Sequence, residues 1–185
     1  MQLRPFLSSL ALALVFRAAA ADGQEPSKAR AEPVLAVKGE VARPLQLRTA
    51  DLAGMPRKAV RAKDHDGREA VFEGVLLGDV LRKAGVAGGV ALRGEMLSYY
   101  LLVQADDGYR AVFALPELDP EFTDEVVLLA DRRDGKALDD REGPFRIVAP
   151  GEKRQARWVR RVASLEVRHS QADLRRKADA PPTSR

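Results

Sequence analysis

Residues 142–167 read EGPFRIVAPGEKRQARWVRRVASLEV, two β-rich runs separated by a basic loop. Gly143-Pro144 fixes a turn, because proline locks φ and glycine tolerates tight geometry. That turn launches Phe145–Ala149 as a buried strand from which Arg146 projects, and Pro150-Gly151 ends it. The loop from Glu152 to Arg157 exposes backbone N–H groups beside Lys153, Arg154 and Arg157, a combination suited to binding a phosphate. Trp158 is placed to pack under the loop, and 158–167 supplies a last strand. A second reading stays open: Lys153, Arg154, Arg157, Arg160 and Arg161 equally suit a solvated edge on which cations guard an exposed strand.

Working outward, the preceding segments repeat one theme of apolar runs joined by Asp-Gly turns. Val126–Ala130 is a strand that reaches a turn at Asp134-Gly135, with Asp131 to Asp134 as a charged hairpin tip. Tyr99–Val103 and Tyr109–Phe113 flank Asp107-Gly108 as a hairpin. Val60–Lys63 and Ala70–Glu73 flank Asp66-Gly67 as another. Between these hairpins, Leu77, Val80, Leu81 and Ala84 fall at helical spacing on one face, and Gly85 supplies a C-terminal stop. Near the start lie short strands at Val34–Val37 and Leu45–Leu47. Thr49 is the expected N-cap of a short helix, with Asp51 near its positive end and Pro56 beyond it. The class that results is α+β, a mainly β mixed sheet with short peripheral helices.

The ends differ in character from this unit. Arg4 followed by an apolar run from Phe6 to Phe16, too short to span a bilayer, reads as a signal peptide over residues 1–21, with cleavage before Asp22. The expected location is therefore periplasmic or secreted. Residues 22–33 are small and polar and read as a flexible linker, and residues 170–185, with Pro181-Pro182, as a disordered tail. The folded unit is then 34–169. Removing Arg4 and Arg17 with the signal lowers the formal charge from +4 to +2, so the basic pI of the whole chain argues little for nucleic acid.

The chain has no cysteine, which excludes disulfides, thiolate metal ligands, a cysteine nucleophile and covalent haem attachment. It has no phosphate-binding glycine loop, and two histidines, His65 and His169, cannot form a multi-histidine metal site. Asp64-His65-Asp66 has the residue types of a metal site or a proton carrier, but hairpin geometry explains it without either. Tyr99, Tyr100 and Tyr109 fit strand packing better than stacking on a ligand ring. The acidic pairs Asp106-Asp107 and Asp139-Asp140 sit on turns, where adjacent carboxylates diverge into water.

Taken in order, GEVARPLQL (39–47), FEGVLLGDVLRKAGV (72–86), DGYRAVFALPELD (107–119), LLADRRDGKAL (128–138) and the stretch 142–167 resemble the oxidoreductase molybdopterin-binding domain of the sulfite oxidase family. The resemblance covers nearly all of residues 34–168. It implies a sulfite oxidase type fold and molybdopterin as ligand, with Arg157 and Arg160 at its phosphate and pterin, Lys153 and Arg154 as further candidates, and Arg146 near the same groove. Gln155 stands where related sequences commonly have glycine. The larger departure is VRAKDHDG (60–67), where the family's enzymes carry the cysteine that holds molybdenum. Here Ala62, Lys63, Asp64 and His65 occupy that neighbourhood, and none reproduces the charge donation of a thiolate. No metal ligand is therefore assigned.

Three functions remain open on this reading. One is a domain that binds a pterin or other small anionic ligand without thiolate-held molybdenum. Another is a molybdopterin oxidoreductase with an altered metal sphere, acting with a membrane haem or cytochrome partner by family analogy. The third is an interaction module that keeps only the fold.

Overall fold

The computed structural model describes residues 34–170. The expected signal peptide, the linker and all of the tail beyond Ser170 lie outside them. In chain order the elements are β1 (Leu35–Gly39), β2 (Leu45–Leu47), α1 (Thr49–Ala53), β3 (Arg57–Lys63), β4 (Glu69–Leu76) and α2 (Leu77–Lys83). There follow β5 (Tyr99–Ala105), β6 (Arg110–Ala114), β7 (Leu128–Arg133), β8 (Lys136–Ala137), β9 (Arg146–Val148) and β10 (Val162–His169). None of the helices among the described residues is long and apolar enough to cross a membrane.

The strands form two five-stranded sheets. The first has the order β2-β1-β10-β5-β6 and is mixed, because β1 and β10 run parallel while the other pairs are antiparallel. The second runs β3-β4-β7-β8, with β9 also paired to β7. The single mixed sheet read from the sequence is thus two sheets. Leu35, Val37, Leu101, Val103, Leu165 and Val167 of the first and Phe72, Val75, Leu128 and Leu129 of the second belong to one continuous core. That core also takes in Leu77, Val80 and Leu81 of α2.

Alternation explains the outer strands: in β6 Ala111 and Phe113 are buried while Arg110 and Val112 face outward. In β7 the run from Leu128 to Ala130 is buried throughout, as expected of a strand with neighbours on both sides. Gly74 sits where β4 meets β7 at a register shift, and a Cβ there would lie 2.0 Å from the Leu129 carbonyl oxygen. Only glycine lets the two backbones approach so closely.

Several sequence expectations need correcting. Arg48, not Thr49, is the N-cap of α1, and its backbone N–H donates to Asp51 Oδ2 at 2.7 Å. Because N3 supplies a carboxylate to the cap N–H, the helix does not need a hydroxyl at the cap. The strand expected over 126–130 runs from Leu128 to Arg133, so the hairpin tip is only Asp134-Gly135, both at positive φ. Asp131 is buried and bound by Arg57 at 2.6 and 2.9 Å, which makes it a cross-sheet anchor rather than a solvated tip. The last strand begins at Val162, four residues later than expected, because Gln155–Arg157 forms a 3-10 turn. The hairpin turns at Asp66-Gly67 and Asp107-Gly108 stand as read.

Candidate anion-binding site

The loop after β9 is held by its own backbone. Trp158 donates its Nε1–H to the Ala149 carbonyl at 3.0 Å and its backbone N–H to Gln155 O at 3.0 Å, while Ile147 N–H reaches Val159 O at 2.8 Å. Trp158 is buried beneath the loop and meets Phe72 edge to face, with ring centroids 5.8 Å apart. Two side-chain contacts tie the loop to neighbouring hairpins. Gln155 Nε2 donates to the Lys63 carbonyl at the end of β3, and Tyr109 donates its hydroxyl to Ala156 O at 2.6 Å. Gln155, standing where glycine is common in the family, therefore fastens the loop to the β3–β4 hairpin.

These contacts bring the β3–β4 turn, the β5–β6 turn and the loop around one open groove of about 220 Å³. His65, Asp107, Tyr109, Gln155, Trp158 and Arg160 are among its lining. Its electrostatics are mixed: one guanidinium, one carboxylate and one imidazole. Burial, followed by the Arg160 and Arg146 guanidiniums, pushes the His65 imidazole below its ordinary value against the opposing pull of Asp64, which favours its neutral form. Tyr109 is about half exposed and lines the groove.

The five basic candidates are placed in four different settings. Arg160 lines the groove and is exposed. Lys153 and Arg154 are exposed on the same loop outside its lining. Arg157 points elsewhere: it lines a separate cleft of about 460 Å³ with Glu117, Glu125 and Glu152. There it is bound by Glu117 at 2.8 Å and Glu152 at 2.5 Å, donates to Val112 O at 3.0 Å and lies 4.3 Å over the Phe113 ring. Arg146, expected near the groove, is fully buried in β9 behind Trp158 and does not line it. Burial of a guanidinium demands anionic partners, and it has them.

Those partners form a cluster that sequence reading missed. Arg146 Nη2 donates to Asp64 Oδ1 at 2.6 Å and Nη1 to Asp64 Oδ2 at 3.2 Å, while Nη1 also reaches Glu142 Oε2. Arg133 of β7 approaches the same Asp64 at 2.7 Å and Glu142 at 3.4 Å. The Arg146 guanidinium lies 5.0 Å from the Phe72 centroid and 5.5 Å from that of Trp158, and its Nε has no hydrogen-bond partner. Burial pushes the Asp64 carboxyl up, but hydrogen bonds from Arg146 and the His65 backbone, with the charges of Arg146 and Arg133, outweigh it and hold it at about 2. The only signal for this in the sequence is a charged residue inside an otherwise apolar strand, which calls for a partner without naming it. Tyr99, by contrast, packs on His169, with ring centroids 5.3 Å apart, and is not part of the groove lining.

The comparisons with known proteins agree with this architecture. The sequence profile described as the oxidoreductase molybdopterin binding domain matches residues 23–174. No curated relative matches the chain. Among solved structures, the sulfane dehydrogenase SoxCD from Paracoccus pantotrophus is similar, with a TM-score of 0.58 at 21% identity over 76% of this chain and 39% of that one. At that identity the likeness speaks for the fold alone, and this chain spans well under half of the SoxCD chain it matches. With the profile covering most of its length, the chain belongs to the oxidoreductase molybdopterin binding domain family.

Proposed function

We propose that this domain binds a phosphorylated pterin, or a ligand of similar make-up, in the groove beside Arg160, without thiolate-held molybdenum. The observation that carries the reading is the composition of the groove. Arg160 supplies a cation for a phosphate, Tyr109 a ring face for a planar heterocycle, and Asp107 a carboxylate for the donor edge of an aminopyrimidinone. The organic part of molybdopterin has these three features, so the groove suits it better than it suits a bare anion. Exposed Lys153 and Arg154 on the same loop add positive potential without touching the groove floor.

Molybdenum is not matched in the same way. The neighbourhood that carries the metal-holding cysteine in the family's enzymes has Asp64 as its buried side chain, and both of its oxygens are already bound by guanidiniums. Among the described residues no group of three or more His, Asp and Glu side chains is arranged to hold a metal ion. The residues present do not fit the metal, and no redox step is assigned to the chain. Read with residues 1–21 as a signal peptide, the proposal places this binding outside the cytoplasm.

The test uses Trp158, the sole tryptophan, as the reporter, since it lines the groove. Titration with a pterin monophosphate should give a saturable change in its emission, and Arg160→Ala should weaken affinity by roughly 10-fold or more, as loss of a charge-assisted hydrogen bond implies. Absence of saturable binding, or equal affinity in the variant, would overturn the assignment.

A further inference from the structure

The buried cluster at Arg146 takes no part in the groove, and its construction is unusual. Two guanidiniums, Arg133 and Arg146, share two carboxylates, Asp64 and Glu142, in a place where the Arg146 side chain has no exposure and that of Asp64 only 6%. Glu142 is local to Arg146, four residues before it, whereas Asp64 arrives from a turn 82 residues away. That turn is closed by Gly67 N–H to Asp64 O at 2.8 Å and is otherwise exposed at His65, Asp66 and Arg68. Asp64 is thus the member contributed from farthest along the chain, and its carboxylate meets Arg146 fork to fork with a further contact from Arg133.

A pair of guanidiniums aimed at one carboxylate is how proteins recognise a carboxylate or oxyanion ligand. We infer that Arg133 and Arg146 form an anion-recognition cage whose ligand in this chain is built in as the Asp64 carboxylate. The cage takes a small carboxylate from solution when that side chain is removed. Shortening Asp64 to alanine vacates the volume of one carboxylate group, so formate matches the space, acetate is at its limit, and a tetrahedral phosphate exceeds it. The inference stands apart from pterin binding, because Arg160 and Asp107 are not members of the cage. It also gives the absence of a thiolate a physical consequence: the neighbourhood is filled and neutralised by Asp64 rather than left open.

Asp64→Ala should melt roughly 10 °C or more below the parent chain, as expected when one buried partner of an ion pair is lost. Formate at about 0.1 M should then raise its melting temperature by several degrees, by mass action on the folded state. Chloride at matched ionic strength should not. The parent chain and Asp64→Ala/Arg146→Met should show no formate-specific rise, whereas Asp64→Ala/Arg160→Ala should keep it, separating the cage from the groove. If Asp64→Ala does not fold in chloride, the folded yield on refolding into formate becomes the readout. A formate response no larger than that of chloride or of the parent chain, or a yield that formate does not improve, would overturn the inference.

Discussion

Replacing Arg146 with methionine should destabilise the protein strongly, and the size can be bounded from the cluster itself. Methionine fills much of the same volume between Phe72 and Trp158 but leaves Asp64 and Glu142 with only Arg133 between them. Removing one member of a buried ion pair costs about 3–5 kcal/mol. Protonation sets a ceiling: the variant can neutralise Asp64, whose ordinary value is 3.8, at a cost near pH 7 of about 4 kcal/mol. The expected loss is therefore about 3–4 kcal/mol at pH 7. At pH 5 the same protonation costs about 2.7 kcal/mol less, roughly 1.6 in place of about 4.4, so the gap between variant and parent should narrow by up to that amount. Urea unfolding followed by the emission of the sole tryptophan reads both values. A variant within about 1 kcal/mol of the parent, or a penalty identical at the two pH values, would refute the view that Arg146 is held by buried carboxylates.

Acid should act through Asp64. Its folded value near 2 lies below its ordinary 3.8, so the stability it contributes is complete above 3.8 and is lost as pH falls from there toward 2. The stability gap between the parent and Asp64→Asn should narrow as pH falls across that window, and a gap that stays constant would contradict the assignment. Gly74→Ala should lower stability by about 1–3 kcal/mol or shift the β4–β7 pairing, since its Cβ would sit 2.0 Å from Leu129 O. An unchanged melting temperature would mean that this approach is looser than described. Arg157→Ala should cost only about 1–2 kcal/mol, because its ion pairs are part-exposed and its stacking on Phe113 is a modest contribution. It should leave pterin phosphate affinity within about 2-fold of the parent, and a loss like that of Arg160→Ala would place Arg157 back at the ligand.

Much of the fold was legible because its signals are local. The Asp-Gly turns fix hairpins through the positive φ that glycine supplies, as at Gly67 and Gly108, and the apolar face of α2 repeats at helical spacing. What was not legible depends on distance in sequence. The parallel pairing of β1 with β10 joins residues from the two ends of the unit, and no local pattern announces it. The candidate site divides in the same way. Lys153, Arg154 and Arg160 could be marked as basic loop residues, but whether a cation is free or committed depends on carboxylates elsewhere in the chain. Arg157 is held by Glu117, and Arg146 by Asp64, across 40 and 82 positions. Asp131 and Arg133 looked like a solvated tip for a related reason: charges in a short polar run read as exposed unless their partners, Arg57 and Asp64, are known.

Elemental and pterin analysis of the protein, purified from a host that makes molybdopterin, bears most directly on a pterin-binding domain without thiolate-held metal. Pterin should accompany the chain, weakened in Arg160→Ala, with molybdenum far below one atom per chain. Molybdenum near one per chain, retained through purification and lost in Asp64→Ala, would contradict this reading and make Asp64 a metal ligand rather than the counter-ion of Arg146.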